Sequence, residues 1–306
     1  MRCNKRVGVA LIVAGAAVWL AVRADEPKPD AGALTVVDAS GKEQKVTGSK
    51  FTLGTRRLAW LAPAGGLEKP APAATPAGPE ALEFRDDDST LYEDGILTLI
   101  PLDRLRSLEW DNDKEEVTAH IAVGPKADDE ATLSGPTGYK GINKIVLEAE
   151  VDKGDMGVAD FKYLGGVPKG IRGLKFPSAK APEASPAGRP AVVTTVYKDK
   201  KTTNKVADLQ PLYKTAAGEQ LSPVLWFKKT LKVDVSKIQK IAVNDSEDEP
   251  AWTVTDKDGE QTLTPLLKTT IDGKPAQLAG LLGRVPEGYK LFPAHTISEV
   301  QFDAEK

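Results

Sequence analysis

ILTLIPLDRLRSLEWD, residues Ile96 to Asp111, decides the reading of this chain. Ile96–Leu102 is a short apolar run of Ile, Leu and Thr, the signature of a strand, and it is apolar on both faces, so it predicts burial. Pro101 has no N–H for a ladder bond and predicts that the strand ends there or lies on an edge. Leu102, Leu105 and Leu108 are then three apart, the spacing of one helical turn. Asp103 stands where a side-chain oxygen could cap that turn. Leu108 and Trp110 alternate with Glu109, which returns the chain to a strand. Asp111-Asn112-Asp113-Lys114 is turn chemistry. Val117, Ala119, Ile121 and Val123 alternate with Thr118, His120 and Ala122, a half-buried return strand. The predicted unit is strand, helical turn, strand, tight turn, strand.

Related stretches recur. Ile100, Leu102, Leu105, Leu108 and Trp110 align without a gap on Val233, Val235, Ile238, Ile241 and Val243, and Arg104 falls on Lys237. A third version, LFPAHTISEVQFD (Leu291–Asp303), aligns with LIPLDRLRSLEWD (Leu99–Asp111). With 41% apolar residues, about 7% of windows match the bare apolar-x-x-apolar-x-apolar spacing by chance, so the ungapped extensions carry the argument. A second anchor, LGGVPKG (Leu164–Gly170), matches LGRVPEG (Leu282–Gly288). Together they predict an all-β protein of two related units, as small barrels or one large sandwich, arising from internal duplication.

The first residues read as a secretory signal. Arg2, Lys5 and Arg6 precede the apolar Val7–Val22, and Val22-Arg23-Ala24 is a small-x-small cleavage site before Asp25. The alternative is a retained membrane anchor. Cleavage after Ala24 removes four basic residues, no acid and the single Cys3. It leaves 37 basic against 44 acidic side chains, a balance of −7. A cysteine-free chain excludes disulfides, thiolate metal sites and a Cys nucleophile. A mildly acidic one is unsuited to nucleic acid or anionic lipid. No later segment is apolar enough to span a membrane as a helix.

The expected organisation is a signal at 1–24, a tether at 25–32 and a first β unit at 33–176 with a Pro/Ala-rich loop at 63–81. A Pro/Ala-rich linker at 177–190 and a second β unit at 191–303 follow. Gly124–Gly141 reads as a polar loop. Ala276–Leu282 is the one stretch that could make more than one helical turn.

Chemistry-bearing motifs are scarce. The acidic turns Asp111–Glu116 and Asn244–Glu249 offer oxygen ligands, but each lacks the central glycine of a calcium loop and reads as a solvated hairpin tip, as does Asp86–Asp88. His120 falls on a polar strand face and His295 in a turn, neither beside another ligand. No Gly-x-Ser-x-Gly elbow or phosphate loop is present. Trp110 and Trp252 align with core positions. Trp60 and Trp226 are the better candidates for an exposed sugar-stacking surface. No catalytic, cofactor-binding or metal residue is singled out, and no cofactor is expected.

The motif of Ile100-Pro101-Leu102, Leu105, Leu108 and Trp110, with Lys169–Gly173 less distinctively, resembles the I-P-L-x-x-I-x-x-I-x-F strands of uncharacterised exported β-repeat proteins from planctomycete-type bacteria. Its strand–turn–strand grammar is similar to small β-barrel and pleckstrin-homology-like modules. The resemblance implies a β fold and often a protein-binding role. The expected function is a non-enzymatic binding or structural protein of the periplasm or cell surface, with a protein or cell-envelope polymer as partner. The alternatives are a carbohydrate-binding module using Trp60 or Trp226, and a carboxylate-dependent hydrolase.

Overall fold

The computed structural model describes residues 33–61, 78–85, 95–126, 128–137, 143–167, 169–177, 179–180, 188–197, 200–244, 251–271 and 273–303. The predicted signal and tether, most of the 63–81 loop, Asp86–Asp88, the acidic turn at 245–249 and the middle of 177–190 lie outside them. The described chain is nearly all β, in antiparallel sheets joined by short turns.

The first unit starts with β1 (Leu34–Val37) and β2 (Glu43–Leu53), the hairpin expected from their alternation. Its turn is held by Asp38, whose carboxylate accepts from Ser40 N at 2.8 Å and Lys42 N at 3.0 Å. There follow β3 (Thr55–Arg57), β4 (Glu80–Phe84), β5 (Leu97–Pro101), β6 (Leu105–Asp111) and β7 (Glu116–Ala122). The unit ends with β8 (Glu130–Pro136), β9 (Ile145–Asp152), β10 (Val158–Gly165) and β11 (Gly173–Lys175). Eight of these form one sheet in the order β10-β9-β2-β1-β11-β6-β7-β8. The sheet curls about its own core. A Cβ on Gly165 of β10 would stand 2.5 Å from Trp110 Cζ2 of β6, so only glycine allows these strands to approach.

The second unit is β12 (Pro190–Tyr197), β13 (Lys200–Thr215), β14 (Gly218–Leu221), β15 (Val224–Phe227), β16 (Leu231–Asp234) and β17 (Ile238–Asn244). It continues as β18 (Ala251–Asp256), β19 (Gly259–Leu263), β20 (Lys268–Ile271), β21 (Lys274–Val285), β22 (Gly288–Phe292) and β23 (Ile297–Phe302). Its main sheet runs β19-β18-β17-β23-β12-β13-β21-β22 and then continues into β5-β4-β3 of the first unit.

Read from β22, the first eight strands of that sheet take the places of β10-β9-β2-β1-β11-β6-β7-β8, one for one and in the same chain order. The registers agree. Leu108 of β6 faces Leu174 of β11, which faces Val36 of β1. Ile241 of β17 faces Val300 of β23, which faces Val193 of β12. All six side chains are buried. Both β2 and β13 carry a bulge at a left-handed residue, Gly48 at φ 56° and Asp208 at φ 52°. The LGxVPxG anchor does not share this correspondence. Leu164 and Gly165 end β10, whereas Leu282 and Gly283 lie in β21, the counterpart of β9.

The motif that opened the reading is a corner. Strand β5, a single 3-10 turn at Leu102–Arg104 and strand β6 follow one another directly. The same corner joins β16 to β17 through Val235–Lys237 and β22 to β23 through Ala294–Thr296. In each case the second residue after the corner, Arg106, Gln239 or Ser298, is the extra residue of a β-bulge. The aligned pairs Leu105/Ile238 and Leu108/Ile241 are all buried, while Val233 and Val243 are half-buried where Ile100 and Trp110 are enclosed.

Three expectations change. Asp103 does not cap the turn: the tighter 3-10 geometry starts at Leu102, so Pro101 is the cap residue and makes no side-chain bond. At the matching place Asp234 does cap, accepting from Ser236 N at 2.9 Å. Gly124–Gly141 is not loop throughout, because β8 is an edge strand whose inward positions are Ala131, Leu133 and Gly135, too small a signal to stand out. Ala276–Leu282 is strand, not helix: it lies in β21, paired with both β13 and β22, and is apolar because both faces are covered.

The junction at 177–190 separates the two curled units, but not the sheets. Strand β5 crosses to pair with β22, Tyr289 opposite Leu99 and Leu291 opposite Leu97. Leu58, Leu97, Leu99, Leu212, Leu282 and Leu291 form an apolar cluster at this joint. Arg56 of β3 adds ion pairs to Glu83 and, at 3.1 Å, to Glu219 of β14.

Candidate functional site

An open groove of about 660 Å³ lies on the second unit, where the 3-10 corner, β17, β18, β19 and β23 meet. Arg189, Lys237, Lys240 and Lys257 line it, with Glu260 as the one lining carboxylate among the described residues. Between the charges lie Ser236, Gln239, Thr255 and Gln301, neutral groups able to donate and accept hydrogen bonds.

Arg189 fixes the groove's floor. Its Nη1 donates to Ser236 O at 2.8 Å and Val235 O at 3.2 Å, and its Nε donates to Asp303 O at 3.2 Å. The guanidinium lies 4.7 Å from the centre of the Phe302 ring. It thus ties the corner to the end of β23 while keeping a cation at the surface. Lys240 pairs across the strands with Glu299 at 3.4 Å. Lys237 and Lys240 straddle the bulge at Gln239, which turns both toward the same hollow.

The residues singled out in the sequence are scattered. His120 is half-buried on β7, its Nδ1 2.8 Å from Glu130 of β8. His295 is exposed in the last corner, on the second unit. Asp111 spends its oxygens on its own turn, accepting from Lys114 N at 3.1 Å and pairing with Lys114 Nζ at 2.9 Å. The Lys114 ammonium and the backbone donors hold this carboxyl below the ordinary range. Among the described residues no group of three His, Cys, Asp or Glu side chains is arranged to hold a metal ion.

Trp110 and Trp252 are buried, as their alignment with core positions predicts. Trp226 is half-buried, and Lys232 lies over its ring at 4.0 Å, so that face is closed to a sugar. Trp60 is half-buried against the apolar joint between the units, with its indole nitrogen enclosed. Tyr213 is fully enclosed beside Phe227 and Trp252 in the second core; burial pushes its phenol up to about 12.

No family model, curated protein or solved structure matches this chain. The groove's chemistry therefore stands on its own residues. Sequence reading passed over it because its cations come from three separated segments. Only Lys237 and Lys240, three apart across a bulge, were close enough to notice. Arg189 joins them through the pairing of β12 with β23 and through its own bonds to Val235 O and Ser236 O. Among the described residues no helix is long and apolar enough to cross a membrane.

Proposed function

We propose that this chain is an exported, non-enzymatic binding protein of the periplasm or cell surface, and that its groove takes an anionic stretch of a cell-envelope polymer. The observation that carries the reading is the lining: four cations against one carboxylate, interleaved with neutral hydrogen-bonding side chains, on a chain whose overall balance is acidic. An open surface with spaced cations suits repeated carboxylate or phosphate groups on a flexible polymer better than one small molecule in an enclosed pocket. Export rests on the basic, apolar and small-x-small pattern of residues 1–24. The common strand order supports a shared ancestry of the two units.

Binding of the purified chain to polygalacturonate, with neutral dextran as control, tests the reading. Binding should weaken steeply between low and physiological salt, since exposed charges are screened beyond about 8 Å at 0.15 M. Lys237→Glu with Lys257→Glu should reduce it about tenfold or more. Equal binding to dextran, or a double variant that binds as well as the parent, would overturn it.

A further inference from the structure

The joint between the units has an acceptor and a donor. The acceptor is the outer edge of β22; the donor is β5, held on its other side by β4. By the strand correspondence, the counterpart of β22 is β10 and that of β5 is β16. Strand β10 is the edge of the eight-stranded sheet, and β16 pairs with β15 alone among the described strands. Each end of the chain's two-unit array thus carries one unused half of the joint found in its middle.

We infer that copies of this chain associate head to tail, β16 of one copy adding to the β10 edge of the next in the geometry of β5 on β22. The register transfers residue by residue. Lys50 faces Glu148 as Gln210 faces Leu282. Glu148 faces Lys162 as Leu282 faces Leu291. Asp160 is therefore the counterpart of Tyr289, and Phe161 of Lys290. The ungapped alignment places Lys232 at Leu99 and Leu231 at Thr98. Tyr289 faces Leu99 and Lys290 faces Thr98 in the joint itself. In the transferred joint Asp160 faces Lys232 of the next copy, and Phe161 faces its Leu231.

Both pairs are complementary. Within its own sheet Asp160 stands opposite Glu150, like charge against like, a cross-strand pairing that disfavours the sheet. An incoming Lys232 answers it. Leu231 and Phe161 are exposed by 39% and 37%, two of the large apolar side chains that the surface leaves open. An in-register edge strand with apolar side chains is a template for strand addition. The inner joint packs Leu97, Leu99, Leu291 and Tyr289 together and is permanent. The outer joint substitutes charges at the matching places and is reversible and salt-sensitive. Because donor and acceptor are different surfaces, the contact is heterologous and generates chains or rings rather than a closed two-fold dimer.

The experiment uses the purified full chain in a Cys3→Ser background, followed by sedimentation velocity and by oxidative cross-linking. The parent should self-associate with concentration at low salt. Asp160→Lys and Lys232→Asp should each weaken association roughly tenfold. An equimolar mixture of these two variants should restore association as alternating chains, because the unaltered Asp160 of one meets the unaltered Lys232 of the other and the two reversed charges meet at the next joint. The chain with Phe161→Cys and Leu231→Cys together should give a ladder of disulfide-linked oligomers, and each cysteine alone should not. A monomer at all concentrations and salts overturns the inference. So does a dimer cross-linked by Phe161→Cys alone, which would mean two β10 edges pairing about a two-fold axis. These surfaces are separate from the basic groove, so the reversals at Lys237 and Lys257 should leave association intact.

Discussion

Leu174 stands directly opposite Leu108 across β11 and β6, and both are buried to within 1%. The second unit repeats the relationship with Val300 and Ile241. Removing either centre leaves a cavity as well as a lost transfer free energy. Leu108→Ala and Ile241→Ala should therefore each lower stability by about 2–5 kcal/mol. Urea denaturation checks this. A loss under about 1 kcal/mol at either site would mean that its row is not a core.

Leu105 and His120 provide a contrast in one sheet. Leu105 leaves the corner fully buried, whereas His120 sits half-buried on β7 with a single side-chain partner, Glu130. Leu105→Ala should cost about 2–5 kcal/mol. His120→Ala removes a partly solvated pair and should cost no more than about 1 kcal/mol. Chemical denaturation of both variants compares them, and a reversed order would make His120 a structural or liganded group.

Asp234 caps the second corner where Pro101 fixes the first. Its carboxylate accepts from Ser236 Oγ and from Ser236 N, and these bonds hold its pKa below the usual value. A lowered folded value means that the contribution is present above the unfolded value, near 3.8, and is lost as pH falls through the folded one. Asp234→Ala should cost about 1 kcal/mol at neutral pH. The difference from the parent should shrink below pH 4 in acid denaturation curves.

Tyr213 sets a limit at the alkaline end. Its hydroxyl accepts from Trp226 N at 3.4 Å within the second core, and burial raises its ionisation from the ordinary 10 to about 12. With the folded value raised, the stabilisation is complete below pH 10 and is lost as pH rises through about 12. Tyr213→Phe cannot ionise and should flatten the stability curve across that window. Fluorescence-monitored denaturation from pH 9 to 12 measures it.

Much of this was written locally. The apolar run before Pro101, the three-residue spacing of Leu102, Leu105 and Leu108, and the alternation through Val117 and Ile121 give strand, corner and strand without reference to the rest of the chain. Leu105 and Ile238 align because each must fill the same inward position after a corner. β8 was missed because an edge strand with one covered face needs few apolar side chains. Ala276–Leu282 was misread because a strand covered on both faces loses its alternation and imitates one side of a helix.

The sequence by itself determined the β class, the corners and most core positions, because these follow from side-chain period and from the fixed φ of proline or the capping oxygen of an aspartate. Tertiary structure alone decided which strands distant in the chain became neighbours. Pairing uses backbone groups that every residue carries, so nothing in Leu97–Pro101 names β22 as its partner. For the same reason the cations of the groove, drawn from Arg189, the β16–β17 corner and the β18–β19 hairpin, became one surface only when β23 closed against β12 and β17.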